Sequence, residues 1–265
     1  MYALLGKTLK HSISPEIHAE IFSEIGIAAE YKLLECTIDD LPQIIARGDY
    51  QGFNVTIPYK EEVLQYIDYI DPAAQQIQAI NTIAYIDGKI CGYNTDYTGF
   101  SSLLLKNKIM VQGKKVVILG VGGSAKMVAA YMRNQGAQQV YLVSRNPATK
   151  VVATQAKIID YRELETIERA DIIVNTTPCG MYPNIADSAV SRELLKNFQV
   201  AIDLIYNPTE TVFLRDAREQ GLQTVNGLYM LVAQAVHAQE IWQQVKLETA
   251  IIERIAKKMQ VYYEK

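Results

Sequence analysis

The sequence has few cysteines, no excess of basic residues and no long apolar run, and each absence excludes a class of protein. Its three cysteines, Cys36, Cys91 and Cys179, are odd in number and far apart, which fits neither a disulfide framework nor a metal cluster. We therefore expect no metal site, and a reducing cytoplasm as the setting. The formal net charge of −3 provides no basic surface, so we expect no nucleic-acid partner.

Signals for membranes and export are also missing. No apolar stretch approaches the roughly 20 residues that a membrane-spanning helix needs, so no membrane partner is expected. The opening MYALLG is typical of a first β-strand and lacks the basic segment and long apolar run of a signal peptide. Hydrophobic residues make up 49% and charged residues 21%, a balance typical of soluble globular proteins.

The most informative segment is VVILGVGGSA, from Val116 to Ala125. Four apolar residues predict a buried strand, and a helical pattern from Ala125 to Gln135 follows the glycine turn. Gly120 permits the turn, Gly122 lets the backbone approach a pyrophosphate, and the helix N-terminus attracts that anion. The pattern predicts a dinucleotide site formed by Gly120, Val121, Gly122, Gly123, Ser124 and Ala125.

Short apolar runs alternate with helical patterns along the whole chain, which predicts an α/β fold. In the first part we expect strands near 2–6, 31–36, 52–57, 81–86 and 89–93, and helices near 15–26, 39–47, 59–67 and 97–107. Asp87-Gly88 predicts a hairpin turn between the last two strands.

The second part repeats the alternation and predicts a doubly wound parallel sheet of Rossmann type. We expect its strands near 115–119, 139–143, 171–175, 200–204 and 223–225, and a helical tail over 228–244 and 247–262. The domains are predicted as residues 1–104, residues 105–235 and a tail, 236–265, whose helices return to the first domain.

Basic residues follow the second strand of the Rossmann pattern. An NAD site usually has an acidic residue there, which binds the ribose 2′-hydroxyl. This chain has Ser144 and Arg145, with Lys150 a little further on. A guanidinium pairs well with phosphate, so the segment favours NADP, although Arg145 also fits a solvated loop residue.

Two charged residues of the first part have the chemistry of proton transfer. Pro58 is placed to open a helix, which puts Lys60 in its first turn, where the helix dipole disfavours a cation and favours proton release. Asp96 stands at the start of the next helix. Locally, Lys60 also fits a surface lysine, and Thr95 or Asp96 fits a helix cap.

Other polar residues stand where ligands bind in such folds. Ser12 and Ser14 offer two hydroxyls on one side of an extended segment, although Ser14 before Pro15 also fits an N-cap. Gln234 lies in an apolar helix, where an amide is usually exposed or bonded within the protein. The remaining candidates lie at strand ends or on strands: Thr56, Asn81, Thr176, Thr177 and Tyr206.

Taken in order, these segments resemble the shikimate dehydrogenase family. No single segment is decisive, but the ordered set spans residues 11 to 235. The matching segments are HSISP from residue 11, NVTIPYK from 54, NT from 81, NTD from 94, the glycine loop, NTTPCGM from 175, DLIYNPT from 203, NGLYML from 226 and Gln234-Ala235.

The resemblance implies reversible reduction of 3-dehydroshikimate to shikimate with NADPH, a step in aromatic amino-acid biosynthesis. It makes Lys60 and Asp96 the catalytic pair and assigns residues 1–104 to the substrate and 105–235 to NADP. Ser12 and Ser14 would hold the substrate carboxylate, while Thr56, Asn81, Asp96 and Gln234 would bond its hydroxyls. Tyr206 would lie near the substrate, and Gly227 near the nicotinamide.

Some alternatives stay open at this stage. The usual family segment Asn-Arg-Thr is here Ser144-Arg145-Asn146, and Lys150 stands near a common second arginine, so discrimination against NAD is expected to be weaker. One alternative is a quinate/shikimate dehydrogenase that uses NAD or both cofactors. Others are a non-catalytic nucleotide-binding regulator, which would not need both Lys60 and Asp96, and a folate-type dehydrogenase. The protein is expected to be a monomer or a homodimer.

Overall fold

The computed structural model describes residues 1–10, 12–149 and 156–263. It divides into two compact units. Unit 1 comprises Met1–Gly99 and Leu231–Lys258, and unit 2 comprises Phe100–Met230 with the last residues from Met259 onward. None of the helices in the described part of the chain has both the length and the apolar character needed to cross a membrane.

Unit 1 is built on a mixed six-stranded sheet. Its strands are β1 (Tyr2–Gly6), β2 (Tyr31–Glu35), β3 (Gly52–Val55), β4 (Tyr69–Ile70), β5 (Thr82–Ile86) and β6 (Lys89–Tyr93), in the order β2-β1-β3-β5-β6-β4. β1 pairs in parallel with β2 and β3, whereas β5 is antiparallel to both β3 and β6. β6 therefore runs in the same direction as β1 and β3, and the three strands end at one edge of the sheet.

Four helices from the first part of the chain belong to unit 1, wholly or in part. They are α1 (Ser14–Ile25), α2 (Leu41–Ala46), α3 (Pro72–Ile77) and the first residues of α4 (Thr95–Lys106). The main core packs Leu5 and Phe53 of the sheet against Leu41 and Ile45 of α2. Burying each such side chain contributes about 1.5–3 kcal/mol, which makes this cluster a principal stabilising element.

Unit 2 contains a fully parallel six-stranded sheet. Its strands are β7 (Lys115–Leu119), β8 (Gln139–Val143), β9 (Lys157–Ile159), β10 (Ile172–Asn175), β11 (Val200–Asp203) and β12 (Gln223–Val225). Their order, β9-β8-β7-β10-β11-β12, is that of the Rossmann fold, with the change of winding direction between β7 and β10.

The connecting helices of unit 2 are α5 (Gly123–Asn134), α6 (Tyr161–Glu165), α7 (Arg192–Leu195) and α8 (Val212–Glu219). α6, α7 and α8 bury Leu164, Leu195 and Phe213 in one core with alternate residues of the sheet, such as Val117 and Ile173. The alternation arises because successive side chains of a strand face opposite sides. This structure confirms the predicted α/β class and the parallel Rossmann-type sheet.

The helical tail consists of α9 (Leu228–Gln243) and α10 (Thr249–Tyr263). Most of both helices clusters with unit 1. The Trp242 indole donates to the Ile83 carbonyl (2.9 Å), and Arg254 pairs with Glu24 of α1 at 2.7 Å. These two contacts join the helical tail to the first part of the chain, as the sequence predicted.

Local predictions differ from the structure at a few elements. Asp87-Gly88 forms the predicted hairpin turn, and both residues have positive φ. The predicted helix over 59–67 is wrong: residues 57–61 form turns, and a 3₁₀ helix covers Glu62–Tyr66. Here the Tyr59 N–H bonds to the Thr56 carbonyl, and the Tyr59 ring is buried, so tertiary packing overrides the helical pattern.

Three short elements were not anticipated by the sequence pattern. They are β4, with two residues, β9, with three, and α3, with six. Elements of this length contain too few residues for a period of 2 or 3.6 to be recognised. β4 and β9 each add an outer strand to a sheet.

A buried polar network lies at the carboxyl ends of β10 and β11 in unit 2. The Asp203 carboxylate accepts hydrogen bonds from Asn175 Nδ2 (3.0 Å), Thr211 Oγ1 (2.7 Å) and the Ile205 N–H (3.1 Å). Asn175 Oδ1 in turn accepts from the backbone N–H (3.0 Å) and hydroxyl (2.7 Å) of Thr177. The network fixes the two loops that follow these strands.

Burial raises the pKa of Asp203 to about 6, above its ordinary 3.8, although the three hydrogen bonds oppose the rise. Between pH 3.8 and about 6, the Asp203 carboxyl of the folded protein therefore keeps a proton that the same carboxyl of the unfolded chain has released. This carboxyl stabilises the fold fully below pH 3.8, and the stabilisation is lost as the pH rises through about 6.

We expect Asp203→Asn, which cannot titrate, to gain stability relative to the wild type as the pH rises from about 4 to 7, by on the order of 2 kcal/mol. Urea denaturation of both proteins across this range measures the difference, and the exposed Asp39→Asn controls for the loss of one negative charge. A difference between Asp203→Asn and wild type that does not vary with pH would contradict the expectation.

Candidate functional site

Lys60 and Asp96, 36 residues apart in the sequence, form a direct ion pair in unit 1. Lys60 Nζ lies 2.6 Å from Asp96 Oδ2, and the two side chains are 24% and 20% exposed. The pair is therefore partly shielded from water yet open to a ligand. An ammonium held against a carboxylate in this way has a fixed position, which proton transfer to a bound molecule requires.

Lys60 is positioned by a turn and not by a helix. It lies in the turns between β3 and the 3₁₀ helix, so the argument from a helix dipole at this residue does not apply. Its carbonyl accepts a hydrogen bond from the Ile80 N–H (2.8 Å), which ties the turn to the segment before β5. The backbone anchor directs the lysine through tertiary contact.

Asp96 is positioned by the first turn of α4. The cap of this helix is Asn94, whose Oδ1 accepts from the Tyr97 N–H at 3.2 Å, so the alternative that Thr95 or Asp96 is the cap is wrong. The Thr95 N–H donates instead to Asn81 Oδ1 (2.6 Å). Each of these two amide side chains accepts from one N–H of the first turn, and the Asp96 carboxylate is left for Lys60.

Asn81 stands beside this pair at the start of β5. Its Oδ1 also accepts from the Thr82 hydroxyl (3.1 Å), and its carbonyl accepts from the Val55 N–H at 2.8 Å. No described residue accepts a hydrogen bond from Asn81 Nδ2, so that donor suits a ligand hydroxyl. Thr56, half-buried, follows directly after β3 at the same edge of the sheet.

The two serines of the first segment lie together after β1. Ser12 Oγ is 3.1 Å from Ser14 Oγ and accepts from the Ser14 N–H at 3.3 Å. Ser14 is the first residue of α1 and makes no capping bond; the cap position is Ile13, so the N-cap alternative for Ser14 is wrong. Two adjacent hydroxyls at a helix start are suited to bind a carboxylate.

Strand direction brings these residues to one edge of the first sheet. Ser12 and Ser14 follow β1, Thr56 and Lys60 follow β3, and Asp96 follows β6, and the three strands run in one direction. Gln234 lies on α9 of the same unit, where its amide donates to the Leu231 carbonyl at 2.9 Å. The Gln234 amide is therefore bonded within its own helix, which is one of the two local alternatives that the sequence offered for it.

The glycine turn of unit 2 has the shape of a phosphate-binding loop. Gly120 has φ +112°, a conformation that favours glycine, and a Cβ there would lie 2.8 Å from Thr176 Oγ1. A Cβ at Gly122 or Gly123 would meet open space, so the backbone there is accessible to a bulky group. Ala125 is fully buried, as expected for close packing of helix and strand.

The first turn of α5 provides the anion-binding end. Gly122 is the cap of this helix, and no side chain caps its N–H groups. Val121 is half-buried and Ser124 is exposed beside it. Free N–H groups with the positive end of the helix dipole fit the pyrophosphate of a dinucleotide.

The residues expected to recognise the 2′-phosphate follow β8. Arg145 is exposed, whereas Ser144 is buried and its Oγ accepts from the Asn146 N–H at 3.1 Å. Ser144 thus shapes the turn that presents Arg145. Lys150 lies outside the described residues, as does His11 of the first segment.

The remaining candidates of unit 2 lie on loops after β10, β11 and β12. Thr176 Oγ1 donates to the Leu119 carbonyl (2.6 Å), which links the loop after β10 to the glycine turn. Gly227 has no room for a side chain, because a Cβ would lie 2.1 Å from the Leu204 carbonyl oxygen. Tyr206 is largely buried, and this burial raises the pKa of its phenol.

Sequence reasoning missed several residues that hold the site. In unit 1 these are His18, Tyr31 and Gln239, whose side chains form a buried network with Asn54. In unit 2 the residue is Asp203, which forms a buried network with Asn175. A polar residue amid apolar neighbours was the available signal, but it cannot show which residues meet. Within the described ranges, no group of three or more His, Cys, Asp or Glu side chains is arranged to hold a metal ion.

Comparison with known protein families agrees with this geometry. The family model described as the shikimate dehydrogenase substrate binding domain matches residues 4–83. A second model, the NADPH-binding domain of acetohydroxy acid isomeroreductase, matches residues 110–210. The first match includes Lys60, and the second includes the glycine turn.

Relatives match over almost the whole chain. The shikimate dehydrogenase (NADP(+)) of Clostridium perfringens is 42% identical over 261 residues, 96% of each chain. The crystal structure of shikimate dehydrogenase 1 from Peptoclostridium difficile has a TM-score of 0.91 at 43% identity, covering 99% of this chain and 98% of that one. For the Thermus thermophilus shikimate 5-dehydrogenase in complex with NADP(H) and shikimate, the TM-score is 0.86 at 31% identity, with 97% and 98% covered. This chain therefore belongs to the shikimate dehydrogenase family.

Proposed function

We propose that this protein catalyses the reversible NADP-dependent reduction of 3-dehydroshikimate to shikimate, in the pathway to chorismate and the aromatic amino acids. The observation that carries the proposal is the contact between Lys60 Nζ and Asp96 Oδ2 (2.6 Å) at the sheet edge that also holds the two serine hydroxyls. The Clostridium perfringens relative named shikimate dehydrogenase (NADP(+)) aligns over 96% of the chain. Both the proton-transfer pair and the anion-binding loop that such a reaction needs are present.

Residues 1–104 form the proposed substrate domain and residues 105–235 the NADP domain, with the helices of 236–265 completing the first. The hydroxyls of Ser12 and Ser14 bind the substrate carboxylate. The side chains that bond the ring hydroxyls are those of Thr56, Asn81, Asp96 and Gln234, and Tyr206 lies near the ring.

The chain would hold NADP through the glycine turn and the residues after β8. The backbone of Gly120, Val121, Gly122, Gly123, Ser124 and Ala125 would receive the pyrophosphate. Arg145, with Ser144 and Lys150, would receive the 2′-phosphate. Thr176 and Thr177 would also contact the cofactor, and Gly227 would lie near the nicotinamide. When bound, NADPH supplies the hydride that reduces the ring ketone.

Lys60 supplies the proton that accompanies this reduction. Its ammonium donates to the ketone oxygen as negative charge develops there, and the neutral amine accepts the proton in the reverse direction. Asp96 accepts a hydrogen bond from the ammonium and holds it in place. The acid is therefore oriented before the substrate arrives, which lowers the entropic cost of the step.

Three free cysteines suit a reducing compartment, so we place the protein in the cytoplasm. We propose a monomer or a homodimer, which sedimentation analysis distinguishes.

A spectrophotometric assay of shikimate oxidation with NADP and NAD in parallel, and then with quinate, tests the function. Oxidation of shikimate with NADP supports the proposal, and absence of that activity overturns it, while comparable rates with quinate or NAD identify the broader enzyme.

We expect Lys60→Ala to lower kcat by about 10²–10⁴-fold, the usual contribution of a positioned acid–base group, and to raise the KM for shikimate far less. Steady-state kinetics in the oxidising direction measure both constants. Lys32→Ala, which removes a 53% exposed lysine from the same unit, is the matched control and should remain fully active. A loss confined to KM would remove Lys60 from the acid–base role.

We expect Arg145→Ala to lower kcat/KM for NADP by about 10–100-fold, because a charge-assisted bond to phosphate is lost. The value for NAD, which lacks the 2′-phosphate, should change little. Arg192→Ala, a surface arginine of the same unit, controls for loss of one positive charge. Equal losses with both cofactors would show that Arg145 does not recognise the phosphate.

A further inference from the structure

A fully buried histidine lies one helical turn beyond the serine pair. His18 is 0% exposed and follows Ser14 by four residues in α1, so the two side chains lie on one face of the helix. The His18 ring stacks on Tyr31, with ring centroids 3.9 Å apart and an angle of 8° between the planes. An imidazole at such a place must have its two nitrogen atoms satisfied by specific partners.

Asn54 supplies the partner on one side, and its other bonds identify which amide atom faces His18. Asn54 Nδ2 donates to the Asn81 carbonyl (3.2 Å) and the Thr82 hydroxyl (3.0 Å). Its Oδ1 must therefore be the atom that faces His18 Nε2 (3.2 Å) and the Tyr31 hydroxyl (2.7 Å). An amide oxygen only accepts, so His18 Nε2 carries the hydrogen.

Gln239 of α9 supplies the second partner. Gln239 Nε2 lies 2.9 Å from His18 Nδ1, and Gln239 Oε1 accepts from Gln243 Nε2 at 3.1 Å. The Gln239 amide thus donates to Nδ1, which accepts. Burial lowers the pKa of His18 to about 3, so this neutral Nε2–H form persists through the whole neutral range.

The network reaches the substrate side through two routes. His18 lies on α1, which begins with Ser14, and is bonded to Asn54 directly. The Tyr31 hydroxyl donates to the same Asn54 oxygen at 2.7 Å. Asn54 bonds the backbone of Asn81 directly. The Asn54 amide is therefore the common contact between the segment of the serine pair and the start of β5.

We propose that His18 is a positioning residue for the substrate: its Nε2–H bond to the Asn54 amide ties α1, which begins with Ser14, to the start of β5, where Asn81 lies. This inference rests on the proposed function, in which those two side chains bind the carboxylate and a hydroxyl. His18 itself touches no reacting atom. Its loss removes the bond between α1 and the Asn54 amide, which displaces the substrate contacts of Ser14 and Asn81 and none of those to the cofactor.

His18→Leu removes both hydrogen bonds, and His18→Gln retains one donor and one acceptor. We expect His18→Leu to raise the KM for shikimate at least about tenfold, while the KM for NADP changes less than about twofold. His18→Gln should recover most of the loss. Ile21→Ala, a fully buried residue of α1 outside the network, controls for lost stability and should leave the KM for shikimate unchanged.

Tyr31→Phe provides a second test, because it keeps the stacked ring and removes only the hydroxyl that donates to Asn54 Oδ1 beside His18. Tyr31→Phe should raise the KM for shikimate several-fold. If His18→Leu does not fold, this variant alone tests the positioning role. An unchanged KM for shikimate in a folded His18→Leu, or in Tyr31→Phe where the former does not fold, overturns the positioning role. So does a parallel rise in the KM for NADP.

The wild-type assay separates the two proposals. If the wild type does not oxidise shikimate with NADP, the proposed function fails, and the positioning role fails with it. If the wild type is active and the variants behave like Ile21→Ala, only the positioning role is wrong.

Discussion

Parallel strands end at the same edge of a sheet, and this constraint organises both units of the protein. In unit 1, β1, β3 and β6 deliver the serine pair, the lysine turn and the aspartate helix to one edge. In unit 2, β7, β8 and β10 deliver the glycine turn, Arg145 and Thr176 to another. Because strand direction is set by the backbone hydrogen-bond ladder, residues far apart in sequence become neighbours without any direct attraction between them.

Buried polar networks then convert rough proximity into defined geometry. Asn54 in unit 1 and Asn175 in unit 2 each donate through one end of the amide and accept through the other. Burial favours the neutral form of the ionisable group beside each amide, lowering the pKa of His18 and raising that of Asp203. A fully satisfied network inside a low-dielectric interior resists rearrangement, which suits the support of a binding site.

Local patterns predicted well wherever a single segment decides its own structure. The turn at Asp87-Gly88 formed as expected, since few other residues adopt positive φ so readily. The segment after Pro58 did not, because the burial of Tyr59 and a turn bond to Thr56 outweighed its helical pattern. The prediction that Thr95 or Asp96 caps α4 was also wrong, because the Asn94 side chain accepts the hydrogen bond from the Tyr97 N–H.

The sequence by itself determined the fold class, the glycine turn and the candidate residues at strand ends, because periodicity and turn chemistry are properties of neighbours along the chain. Only the tertiary structure decided that Lys60 meets Asp96 across 36 residues, and that His18 meets Gln239 across 221. Those contacts depend on which strands pair and on where the last helices pack. Such choices minimise the free energy of the whole chain, so no local pattern records them.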